Sequence, residues 1–221
     1  MTTKALFNSW VAPLQSRGLV PQVGANVLRG ALAGRAITVQ TMVSHVQAGP
    51  GGRWVPGWAR LIVAKQSDIA VQLWAGAPDE ALPAGFSAVA HGDLSVFAWE
   101  PQPAQALLAD AAAMGVARSL LVSRSDEGRR VLTVWPDEVT LLIRQPALSG
   151  EEVLRALDGL IAVAHAADAV PSGPRGYRAA SAQQRTAFRR TLAYGCLAII
   201  VVVGLVGALG IFAVILPQLA R

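Results

Sequence analysis

From Thr191 to Ala220 the chain carries no charged side chain, and Arg190 and Arg221 close the run on either side. About 20 apolar residues cross a hydrocarbon core of about 30 Å as a helix, and Leu192–Leu216 is long enough to do so with some tilt. Inside lipid every backbone N–H and C=O must be satisfied within the segment, so a single span has only the helix available to it. Pro217 lies where it stops such a helix without breaking it. The run predicts one transmembrane helix over residues 191–217, followed by a short tail at 218–221.

Charge orients the span. All 14 acidic residues precede Val170, whereas Arg175, Arg178, Arg185, Arg189 and Arg190 crowd the stretch just before the apolar run. Positive residues stay on the cytoplasmic side, so the preceding domain is expected inside, at the inner membrane of a bacterium. Arginine greatly outnumbers lysine, and Ala and Gly are abundant, as in GC-rich bacterial genomes. No continuous apolar stretch marks an export signal near Lys4. A span so near the C-terminus predicts a tail-anchored protein inserted after translation. The arginine cluster is expected to meet anionic lipid headgroups. Within the span, Gly204, Gly207 and Ala208 give a small-residue face that lets two helices approach, so a homodimer through this helix is a further expectation.

Val170-Pro-Ser-Gly-Pro-Arg-Gly176 is a cluster of breakers. It divides the chain into a domain at 1–170 and a basic linker and juxtamembrane segment at 171–190. The net charge of +5 comes from beyond this boundary, and the domain itself is close to neutral. A basic nucleic-acid-binding domain is therefore not indicated. The chain has 1 Cys, Cys196, which excludes an intrachain disulfide and the usual cysteine-based zinc sites.

Within the domain, hydrophobic period and punctuation predict a helix at Leu6–Gln15 and strands at Ala36–Val46, Arg60–Lys65 and Ile69–Trp74. Phe86–Ala90 and Leu94–Trp99 flank His91-Gly-Asp93, a tight hairpin. A helix at Pro103–Met114 should stop at Gly115. Strands follow at Ser119–Ser123, Arg130–Trp135 and Val139–Arg144. Ser149 and Glu152 form a capping box for a closing helix over Glu151–Ala167. The sum is a two-layer α+β domain: an antiparallel sheet with helices on one face, its C-terminal half reading α-β-β-β-α.

Chemistry-bearing motifs are sparse. His45, His91 and His165 have no metal-ligand spacing. Gly49–Gly52 lacks the lysine and helix of a phosphate loop, and no nucleophile elbow occurs. The acid pairs Asp137-Glu138 and Glu151-Glu152 sit at a turn and a helix start, where local structure explains them. No catalytic residue, cofactor or metal is expected. Four residues are candidates for contact with a partner or ligand: His91 and Asp93 at the hairpin turn, and Trp54 and Trp58 in the apolar stretch Arg53-Trp-Val-Pro-Gly-Trp58, read as a loop.

Gly92-Asp-Leu-Ser-Val-Phe97-Ala-Trp99, then Leu107-Leu108, three strands and a Leu-rich helix, resembles a group of bacterial membrane-attached proteins of unknown function. The likeness spans Ala88–Ala167 and implies no activity and no catalytic residues. The leading expectation is a non-enzymatic protein-interaction or scaffold module held at the membrane. The alternatives are a membrane-tethered domain sensing a small ligand and a membrane-bound hydrolase.

Overall fold

The structure, a computed structural model, describes residues 2–46, 53–78, 82–123, 127–174 and 176–178, and gives the backbone alone for 44–46 and 53–56. The elements in chain order are α1 (Thr3–Gln15), β1 (Val20–Pro21), β2 (Val27–Leu32), β3 (Arg35–Val46), β4 (Arg53–Ala64), β5 (Val71–Ala75), β6 (Ser87–His91), β7 (Leu94–Ala98), α2 (Pro101–Leu108), α3 (Ala111–Leu121), β8 (Arg130–Val134), β9 (Glu138–Arg144) and α4 (Gly150–Ala169). Among the described residues the fold is α+β, with a large antiparallel sheet and four helices.

The strands form one sheet in the order β1-β2-β3-β4-β9-β8-β5-β7-β6. Every pairing is antiparallel. Side chains alternate between sheet faces, and the burial pattern shows which face the helices cover. Val39, Leu61, Leu141, Leu132, Leu73 and Val96 join Leu6 and Trp10 of α1, Leu107 of α2, Leu121 of α3 and Leu157 of α4 in a single apolar cluster. Their sequence neighbours of opposite parity point to the other face. Trp10 Nε1, buried with its ring, donates to the Leu148 carbonyl at 2.7 Å and joins α1 to the approach of α4. Ser149 and Glu152 close both bonds of the capping box, as the sequence predicts.

Three local expectations need correction. The helix predicted over Pro103–Met114 is two helices, because Asp110 accepts from the N–H groups of Ala112 and Ala113 and starts α3 afresh. Gly115 does not stop it, and Ser119–Leu121 is the last turn of α3, not a strand; Leu120 and Leu121 are buried there. The C-terminal half is thus α-α-β-β-α. Arg53–Trp58, read as a loop, is the first part of β4. Pro56 is tolerated because β9 reaches β4 only as far as the Trp58–Arg144 pair, so no ladder bond is lost at the proline on that side. On the other side Pro56 sits beside a register shift between Met42 and Val43.

The first compact unit of the chain runs from Met1 to Tyr177, past Val170, and a second begins at Arg178. Among the described residues no helix is long and apolar enough to cross a membrane. The span predicted at residues 191–217 lies outside the described residues.

Candidate interaction surface

The hairpin turn brings two of the predicted residues together. Gly92 takes φ +55°, the left-handed region glycine tolerates best, and this sets Asp93 beside the end of β6. Arg118 on α3 reaches both neighbours: its Nε donates to Asp93 Oδ1 at 3.3 Å, and its Nη2 lies 3.3 Å from His91 Nε2. The Asp93 carboxyl is held below its ordinary value by a backbone N–H of its own turn and then by Arg118. Asp93 is wide open to solvent, with 74% of its side chain exposed. The trio ties the turn to α3. Among the described residues no group of three or more His, Cys, Asp or Glu could hold a metal ion.

Trp58 does not join that trio. It lies half-buried on β4, paired in register with Met42 on β3 and Arg144 on β9, and four strands separate β4 from β6. Trp54 pairs with His45 by backbone, and its side chain is outside the described residues. Trp58 does mark the sheet face opposite the helices. Register carries that face across the molecule: Met42, Trp58, Ile62, Leu142, Val131, Trp74 and Phe97 all take the parity that points away from the core. An antiparallel sheet with one solvated face normally alternates apolar-in with polar-out. Here the outward parity mixes those apolar side chains with Gln40, Arg60, Glu138, Thr140, Thr133 and Gln72. Met42 is 52% exposed and Val43 43% exposed, whereas Trp74 is buried. Gln72 Oε1 and Trp74 Nε1 on β5, and Trp99 Nε1 just past β7, are buried with no hydrogen-bond partner among the described residues. An unmet buried polar atom costs on the order of 1–3 kcal/mol; Arg60 and Thr140 on the same face donate to Glu138.

At the end of the sheet where β7 and β8 finish, four rings gather. Tyr177 packs against Phe86, Trp99 and Trp135 at centroid distances of 6.2, 5.5 and 5.6 Å. Phe86 also meets Trp135 edge-on at 5.8 Å. Near the same end Asp168 of α4 accepts from the N–H groups of Gln66 and Ser67 at 2.8 and 2.9 Å and pairs with Arg35 at 2.8 Å. Burial alone would raise its carboxyl, but those two N–H groups and Arg35 outweigh it and hold it below its ordinary value.

Sequence reasoning missed the Gln72–Trp74 strip and the ring slot. The available signal was parity: Trp74 and Phe97 occupy positions in their strands that a solvated face gives to polar residues. Of the predicted basic cluster, Arg178 is described and exposed, while Arg175, Arg185, Arg189 and Arg190 lie outside the described residues, as do Gly204, Gly207 and Ala208. Buried Arg130 is committed to Glu127 and to the Leu120 carbonyl, a structural use of its charge.

No protein-family pattern and no curated protein matches the chain in sequence. In fold the chain is similar to the crystal structure of the mycobacterial trehalose monomycolate transport factor A, TtfA, with a TM-score of 0.56 and 12% sequence identity, over 77% of this chain and 99% of that one.

Proposed function

We propose that this chain is a non-enzymatic, membrane-anchored interaction module whose α+β domain docks a protein partner on the sheet face opposite α1–α4, at the inner side of a bacterial membrane. The observation that supports this reading is the row of large apolar side chains on that face, Met42, Trp58, Ile62 and Leu142, with Met42 52% exposed. A protein segment supplies apolar side chains for this row together with polar groups for the Gln, Arg, Thr and Glu side chains interleaved with it, whereas a lipid tail supplies no hydrogen bond. The apolar run at 191–217 and the arginines before it provide the anchor and its lipid contact, and Gly204, Gly207 and Ala208 provide a face for pairing two anchors. The fold it shares with TtfA, a mycobacterial trehalose monomycolate transport factor, fits a membrane-associated role.

Site-specific photocrosslinking of the full-length chain in its native membranes tests the reading. A photoreactive residue at Met42 or Ile62 should give a discrete protein adduct, and one at exposed Ala162 on α4 should not. Identical adducts from both faces, or none from the sheet face, would overturn it.

A further inference from the structure

We propose that β6, an outer strand of the sheet, pairs edge to edge with β6 of a second copy of this chain, antiparallel, about a two-fold axis at Val89. The two borders of the sheet differ. β1 is 2 residues long and includes Pro21, which has no N–H to offer. β6 runs over Ser87–His91 with no proline and no charged residue, so it lacks the usual devices that close an edge.

Register shows which backbone groups stand open. The tight turn at Gly92-Asp93 makes His91–Leu94 a hydrogen-bonded pair, and bonded and non-bonded pairs alternate from there. Ser87, Val89 and His91 therefore direct their N–H and C=O groups to β7. Ala88 and Ala90, opposite Phe97 and Ser95, point theirs away from β7, and both residues are exposed. Among the described residues neither has a backbone hydrogen bond to another element. A second β6 turned about Val89 sets each Ala88 opposite an Ala90, and the outward N–H and C=O groups of both strands are then met together.

The side chains fit the same register, and this selects a second copy as the occupant. Val89 meets Val89, Ala88 meets Ala90, and Ser87 meets His91. Arg118 Nη2 can only donate, so its 3.3 Å contact makes His91 Nε2 the acceptor and leaves the proton of a neutral His91 on Nδ1. Across the axis that Nδ1–H faces the Ser87 hydroxyl, which accepts it, and the pair occurs on both sides of Val89. β6 and α2, which packs on it, hold no charged residue, so these elements of two copies meet without like charges. The surface is a border of the sheet, and it depends neither on the face assigned above to another protein nor on the anchor.

The test co-expresses two differently tagged full-length copies in a Cys196→Ser background and oxidises the lysate with copper phenanthroline. Ala88→Cys in one copy and Ala90→Cys in the other fall opposite each other, about 5.5 Å apart at Cα and within disulfide reach. Two Ala88→Cys copies lie on a diagonal at about 7–8 Å. The first combination should give about tenfold more mixed-tag disulfide than the second. Adding Ser87→Glu and His91→Glu to both copies sets like charges opposite each other and should cut the yield about fivefold, while Arg118 can still pair with a carboxylate at position 91. Ser87→Lys with His91→Glu should restore the yield, which a folding defect would not. Equal yields from the two cysteine combinations, no disulfide from the first, or indifference to the charge pairs would overturn the edge pairing. Pairing through residues 191–217 alone gives the first or second of these results, because it sets no register at β6.

Discussion

The β6–β7 hairpin has two ends, and they hold their neighbours by different physics. At the turn, Arg118 crosses from α3 to His91 and Asp93 through contacts of 3.3 Å that stand open to water. At the other end, Phe86 and Trp99 close around Tyr177, with Trp135 completing the slot. The sequence motif that looks chemical lies at the first end. The arrangement that departs from an ordinary solvated surface lies at the second. Exposed ion pairs contribute little because solvent screens them and the side chains must be ordered. Aromatic burial is large and geometrically selective. A short polar motif is therefore weak evidence for a site when each of its groups already has a local structural use.

Four substitutions can break or sharpen this comparison. Trp135→Ala removes the ring that touches both Phe86 and Tyr177, and it should destabilise the domain by about 2–4 kcal/mol in urea titrations, near the lower end of the range for aromatic truncation because the ring is half-buried. Asp168→Asn leaves Arg35 without its counter-charge in a largely buried setting, where 13% of the Arg35 side chain is exposed, and should cost about 1–3 kcal/mol at neutral pH. The acid dependence follows from the same residue. The Asp168 carboxyl lies below its ordinary value in the fold, so its contribution is present above the unfolded value of about 4 and is lost as pH falls through the folded one. The variant should show a flatter acid limb than wild type in unfolding midpoints followed from pH 6 to pH 2. Tyr177→Phe keeps the ring and should change stability by less than about 1 kcal/mol. Arg118→Ala should leave the urea midpoint unmoved; a midpoint shift matching that of Trp135→Ala would erase the contrast between the two ends.

Much of the fold was legible from local signals. The capping box at Ser149 and Glu152, the alternation of β3 and the tight turn at Gly92 each rest on chemistry contained within a few residues. Errors arose where tertiary packing overrode a local breaker. Gly115 was expected to end a helix, but its neighbours Met114 and Ala117 are buried, and that burial outweighs the propensity cost of about 1 kcal/mol. Pro56 and Gly57 suggested a loop, yet β3 holds that stretch as a strand. β2 escaped notice because Gly30 interrupts its short apolar pattern, and the close approach there explains the glycine: a Cβ would lie 2.6 Å from the Gly18 carbonyl oxygen. The ring slot was the least legible feature. Phe86, Trp99, Trp135 and Tyr177 are spread over half the domain, and only the strand order brings them together.

The reading of function depends on the domain being held at a membrane by the uncharged run while it faces the cytoplasm. Protease protection measures this directly. Protease added to intact cells should leave residues 1–177 whole, and the full-length chain should stay with carbonate-washed membranes; digestion of the domain from outside, or release of the full-length chain without detergent, would contradict it.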